Sequence, residues 1–256
     1  MRKIIPLLIL LAATGFRPII VAAASASESG HFEVNGKPVD EFHCEPSGGG
    51  KHPAVILLHG AAPRGSALDT FQQMCSDLAD RGYYVMYLEY YSQTDAVTPG
   101  QLDKMMRLLP VWLAEIDGGI GELNKNPKVE SSKIAIVGFS LGSFLAMTQA
   151  ATDPSEVTAV VDYYGPFFPQ LKMIMTQVPF PPILILHGEN DSLVPVAQAK
   201  ELDSVLTEKK RPHEMHLYPG ADHAFNFPQA PMWYRESAAR DAWNRTLASL
   251  DKNLKH

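Results

Sequence analysis

Five short, almost wholly apolar runs punctuate the chain: AVILLH (54–59), YYVMYL (83–88), KIAIVG (133–138), VTAVVDYYG (157–165) and ILILHG (183–188). A strand with one wet face alternates apolar and polar residues. These runs do not, which is expected of strands buried on both faces of a parallel sheet. Between them the period changes. Leu68, Phe71, Cys75 and Leu78 recur at helical spacing up to the stop at Arg81-Gly82. Met105, Leu109, Leu113 and Ile116 mark one face of a helix over Leu102 to Leu123, which Pro110 should kink or divide. Further helices are expected over Leu141 to Ala151, Val196 to Leu206 and Trp233 to Leu250, with HEMHLYPG (213–220) as the last strand. Asn35-Gly36 signals a turn between two short strands in HFEVNGKPVDEFHCEP (31–46), which would add antiparallel strands at an edge. Strands alternating with helices define an α/β class: a mainly parallel sheet with helices on both faces.

The 256 residues, 46% of them hydrophobic, suffice for one sizeable core. A single domain is expected over residues 27–256. Before it, Arg2 and Lys3 precede apolar runs that end in Ala-Ser-Ala (24–26), the layout of a secretory signal or N-terminal leader. Arg17 and Pro18 interrupt that stretch and make it a poor membrane span. A secreted or periplasmic location follows as an expectation. The formal charge of −6 argues against nucleic acid as a partner, since that needs a basic face. Cys44 and Cys75 could pair in an oxidising compartment, or Cys75 could pack as a buried thiol on its helix stripe. No spacing of His, Cys and carboxylates suits a metal, and no phosphate loop or dinucleotide fingerprint occurs, so no cofactor is expected.

In open α/β sheets chemistry gathers beyond the carboxyl ends of the strands. Three polar residues fall there: Ser140, Asp191 and His223. Ser140 lies in Gly138-Phe139-Ser140-Leu141-Gly142, a strand–turn–helix pattern in which a nucleophile is presented on a sharp elbow. The glycines allow close approach of strand and helix, and the turn puts the hydroxyl at a helix N-terminus. Serine needs a base; His223 would take its proton, and Asp191 would fix the imidazole tautomer. The order Ser, Asp, His is that of the α/β-hydrolases. The N–H groups of Leu141 and of Ala61, in the loop HGAAPRG, are the expected oxyanion donors, with Ala62 next in line. Asp162 is a rival acid, Asp222 a poorly placed one. His59 and His187 are expected to shape the site floor, while His213 and His216 carry no signal.

VILLHG, GFSLGS, VVDYYG, ILILHGENDSLVP and YPGADHAF together resemble the dienelactone hydrolase family of α/β-hydrolases. The resemblance runs from about residue 30 to the end, and it maps the triad onto Ser140, Asp191 and His223. The separations, 51 residues from Ser140 to Asp191 and 32 from Asp191 to His223, are similar to that family's layout and leave no room for a large lid. Two departures stand out. The best-known members use a cysteine nucleophile where this chain has Ser140. They also hold an anionic lactone with a carboxylate and arginines, where this chain has Leu57, Gln93 and Phe227. The resemblance therefore implies a serine hydrolase of small carboxylic esters or lactones, with dienelactone itself not expected as substrate. The alternatives are an acyl-peptide or dipeptide hydrolase, or a non-catalytic binding protein on the same fold. The aromatic and Met-rich segment from Tyr163 to Pro182 is expected to overhang Ser140, so Tyr164 and Phe167, with Tyr91 and Phe139, are the candidate substrate-binding residues. Arg64, the one nearby cation, reads as a solvated loop residue. The sequence leaves the oligomeric state open.

Overall fold

The computed structural model describes residues 26–255. The leader expected over residues 1–26 thus lies, except for its last residue, outside the described residues. Asn35 and Gly36 both take positive φ, 54° and 71°, and turn β1 (Glu28–Val34) onto β2 (Lys37–Cys44). Such a turn twists with the strands, which is why Asn-Gly signals a hairpin. The other strands are β3 (His52–Leu58), β4 (Tyr84–Leu88), β5 (Val129–Phe139), β6 (Ala159–Tyr163), β7 (Ile183–Gly188) and β8 (His213–Tyr218). They form one sheet in the order β1-β2-β4-β3-β5-β6-β7-β8. β2 pairs antiparallel with both β1 and β4, and every other pairing is parallel. The hairpin is therefore an antiparallel addition to one edge of a parallel sheet, as its sequence implies.

Alternate residues of the buried strands feed two cores. Ala54, Ile56 and Leu58 of β3 face one; Val55 and Leu57 face the other. Helices α1 (Leu68–Ala79) and α6 (Glu236–Leu254) cover the second core. The first is covered by α2 (Leu102–Lys125), α3 (Leu141–Thr152), α4 (Pro169–Met175) and α5 (Ala197–Glu208). Each Leu, Ile or Val so buried contributes about 1.5–3 kcal/mol against exposure.

Two expectations change. Pro110 does not divide α2, which runs as one 24-residue helix through it. The apolar stripe around Trp112, Ile116 and Ile120 is docked on the sheet, and that packing outweighs the lost hydrogen bond. α4 occupies part of the segment expected to overhang the site; Pro169 opens it at the first helical position, where proline fits. Cys44 of β2 and Cys75 of α1 form a disulfide, with Cα atoms 5.7 Å apart. Of the two readings open from sequence, the paired one holds.

The chain's strand order reverses at β3: β4 lies on one side of it and β5 on the other. The crevice beyond the carboxyl ends of strands at such a switch point is where α/β sheets bind ligands. Here the loop after β3 meets the turn after β5.

Candidate active site

β5 ends at Phe139 and α3 begins at Leu141, leaving Ser140 alone between them at φ 54°, ψ −114°. The two flanking glycines are required by space. A Cβ on Gly142 would stand 2.3 Å from the carbonyl oxygen of Leu58, and one on Gly138 would stand 2.5 Å from the carbonyl oxygen of Gly142. The elbow is pinned from the next strand, since the Ser140 N–H donates to the Tyr163 carbonyl at 2.9 Å. Among the described residues, four of the six non-glycine residues with positive φ, Ala67, Ser140, Tyr164 and Ala224, line one cavity. Strain of this kind persists only where the surroundings over-determine it, and it concentrates at functional sites.

His223 follows β8 and reaches Ser140: Nε2 lies 2.9 Å from Oγ. Its Nδ1 lies 2.8 Å from Asp191 Oδ2, beyond β7. With Nδ1–H donating to the carboxylate, Nε2 is free to accept from the serine hydroxyl. Burial works against charge on Asp191, but hydrogen bonds from His187 and His223 and from the Val194 N–H overcome it. They hold its carboxyl well below the ordinary range. Oδ1 accepts the Leu193 and Val194 N–H groups at 2.9 and 2.7 Å, so the carboxylate is fixed from both ends. The three residues picked out by their strand ends are thus brought into hydrogen-bond contact.

The rivals are placed elsewhere. Asp162 accepts from the Ser143 hydroxyl and the Gly165 N–H, and burial raises its pKa despite both bonds. Asp222 accepts from the Ser192 and His223 N–H groups, away from the imidazole. His213 and His216 pair with Asp203 and Asp241 along β8. His187 lies behind Asp191, and His59 forms part of the cavity floor, with Nδ1 2.8 Å from the Gly60 carbonyl.

The cavity above Ser140 measures about 560 Å³. Ala61, Ala62, Phe139, Tyr164 and Phe227 line it, together with Trp233 and Leu193. Leu141 opens α3, so its N–H lies in the helix's first turn, directly after the serine. Tyr91 and Phe167, two of the candidate substrate-binding residues, are not in the lining. Tyr91 packs edge-on against His59, at 4.8 Å, and against Trp112. Phe167 is buried in the first core with Leu171 and Met175, and its neighbour Phe168 meets Phe144 edge to face. Phe167, Leu171, Met175 and Phe180 of the segment from Tyr163 to Pro182 fill that core, Tyr163 packs in the second core, Met173 is exposed, and only Tyr164 lines the cavity. The outer wall instead comes from residues 224–233 and from Thr98 and Pro99. Gln93 binds the hairpin, donating to the carbonyls of Val34 and Lys37.

Sequence reasoning also passed over Glu89. It directly follows β4, the same position at a strand end that singled out the other three, and it lines the cavity. Burial opposes its charge, but His59, Arg64 and the Tyr91 N–H keep its carboxyl below the ordinary range. Among the described residues no group of His, Cys, Asp and Glu could hold a metal ion, and no helix is long and apolar enough to cross a membrane.

The sheet, its switch point and the serine elbow define an α/β-hydrolase. The solved dienelactone hydrolase-like promiscuous phosphotriesterase from metagenomic libraries superposes with a TM-score of 0.76 at 18% identity, over 89% of this chain and 99% of that one. Residues 39–254 match the dienelactone hydrolase family, and the chain belongs to it. By membership it is a hydrolase of the carboxylic ester class. It is 26% identical to the protein usf of Aquifex pyrophilus, over 87% of this chain and 97% of that protein. It is equally similar, at 26%, to an Aquifex aeolicus (strain VF5) protein provisionally named carboxymethylenebutenolidase, over 88% of this chain and 97% of the relative.

Proposed function

We propose that the protein hydrolyses small carboxylic esters or lactones through an acyl-enzyme on Ser140. The observation that carries this reading is the contact of His223 with both Ser140 and Asp191 at the base of a mostly apolar cavity. His223 Nε2 removes the hydroxyl proton as Oγ attacks the carbonyl carbon. The N–H groups of Leu141, at the start of α3, and of Ala61, in the loop after β3, hold the oxyanion. The imidazolium, stabilised by the ionised Asp191, then gives its proton to the departing alkoxide. A water attacks the acyl carbonyl with His223 again as base, the Ser140–acyl bond breaks, and the acid is released. The walls formed by Phe139, Tyr164, Phe227 and Trp233 suit a neutral acyl or aryl group. Export is part of the same proposal: the leader pattern and the Cys44–Cys75 disulfide both suit an oxidising compartment.

Hydrolysis of p-nitrophenyl esters from acetate to octanoate tests the reading, with wild type and Ser140→Ala compared. The variant should fall by about three orders of magnitude or more in kcat. Equal, feeble rates in both proteins would overturn the acyl-enzyme, and the chain-length optimum of wild type measures the cavity.

A further inference from the structure

We infer that Glu89 is a specificity-determining residue that anchors a hydrogen-bond donor of the substrate, a hydroxyl or an ammonium, and turns carboxylated esters away. The inference rests on the hydrolase reading and names the substrate class of the same site.

Among the described residues that line the cavity, Glu89 supplies the one carboxylate and none is a lysine or arginine. Its side chain is 10% exposed. Oε1 is occupied: His59 Nε2 lies 3.0 Å away and the Tyr91 N–H donates to it at 3.3 Å. Oε2 is not. It accepts no hydrogen bond among the described residues; its ion-pair partner is Arg64, whose Nε stands 4.0 Å off. That guanidinium instead donates to Asp40 at 2.8 Å, on the exposed side. An ionised carboxylate can accept several hydrogen bonds, so Oε2 keeps unused acceptor capacity on a residue that lines the cavity.

The carboxylate is also held in place. His59 stacks face to face on Tyr90 with ring centroids 4.1 Å apart, and the Tyr90 hydroxyl donates to the His59 carbonyl. Glu89 cannot swing out to water without breaking its bond to this stacked ring. A substrate hydroxyl or ammonium placed against Oε2 gains a charge-assisted bond inside apolar walls. A substrate carboxylate there would set like charges together and leave both anions short of donors.

The test uses p-nitrophenyl phenylacetates bearing a methyl, hydroxymethyl or carboxylate group at the meta or para position, with the full-length protein and Glu89→Gln. Wild type should take the better hydroxymethyl isomer about fivefold or more above its methyl counterpart in kcat/KM, and the carboxylates about tenfold or more below. In Glu89→Gln the span between hydroxymethyl and carboxylate should shrink to about threefold or less, whatever the variant's absolute rate. Carboxylated esters turned over as well as methyl ones by wild type would overturn the inference while leaving the hydrolase reading intact. So would an unchanged span in folded Glu89→Gln. If the variant does not fold, the wild-type ranking alone decides. Failure of wild type to hydrolyse any ester would instead overturn the hydrolase reading, and this inference with it.

Discussion

His187 and Asp191 meet behind the reactive face: Nε2 of the histidine stands 3.3 Å from Oδ2 of the aspartate, and neither side chain reaches solvent. The same nitrogen lies 2.9 Å from the Val194 carbonyl. His187 therefore ties Asp191 to the loop that also gives it two backbone N–H groups. Replacing His187 by Ala should lower kcat for ester hydrolysis about tenfold and cost about 1–3 kcal/mol of stability, the price of orphaned buried acceptors. Gln, which keeps a donor, should restore part of kcat. Steady-state kinetics beside denaturant midpoints separates positioning from mere destabilisation; an alanine variant with full kcat would rule the positioning role out.

Gly142 and Gly121 should respond in opposite directions to the same change. A Cβ at Gly142 meets the carbonyl oxygens of Leu58 and His59 at 2.3 and 2.4 Å, and backbone cannot step aside cheaply. Gly142→Ala should cost about 3–5 kcal/mol, at the severe end for single substitutions. Gly121, inside α2, has nothing within 4 Å of its would-be Cβ. Gly121→Ala should stabilise by about 0.5–1 kcal/mol through helix propensity. Urea unfolding of both variants reads the contrast.

Glu115 makes the fold sensitive to base. It is fully buried in α2, and burial raises its carboxyl from the ordinary 4.5 to about 8 despite a hydrogen bond from the Gln93 N–H. Below pH 4.5 both folded and unfolded chains hold the proton and nothing is lost. Between there and about pH 8 only the unfolded chain releases it, so stability falls as pH rises, and above that the loss is complete. Glu115→Gln should melt with wild type near pH 4.5 and several degrees above it at pH 8, the gap widening steadily between. A gap that does not vary with pH would show that the carboxyl titrates normally.

Much of this was legible in the sequence, for one physical reason. A strand buried on both faces must be continuously apolar, so the runs at 54–59, 133–138 and 183–188 located themselves, and the polar residues after them were exposed as exceptions. Ser140 and Asp191 came from that rule, His223 from its place beyond the mixed strand at 213–218, and Glu89 obeys the rule too. It was passed over because a glutamate after Tyr-Leu matches no named pattern. The cavity wall was legible only in part: Phe139 and Tyr164 line it as expected, Tyr91 and Phe167 do not. Phe167 and Met175 in the core and Phe227 and Trp233 at the cavity are alike in composition, and only the tertiary arrangement sorts them. The cysteine pair was undecidable for a similar reason: strand β2 and helix α1 are neighbours only once β4 lies between β2 and β3.

The disulfide closes a loop of about 31 residues, from Cys44 to Cys75. Its removal by Cys44→Ala/Cys75→Ala should cost about 3–4 kcal/mol in chain entropy. Matching urea midpoints for oxidised wild type and the double variant would contradict this.

The loop between β2 and β3 runs through Ser47, Gly48, Gly49 and Gly50, all small and all but Ser47 without side chains, at the surface. A protease that cut there would sever the chain between the edge hairpin and the rest of the sheet. Yet Cys44, on the near side of the cut, stays bonded to Cys75 on the far side. The clipped molecule would run as two pieces only after reduction. Outside the cell, where peptidases abound and thiols are scarce, it would remain one.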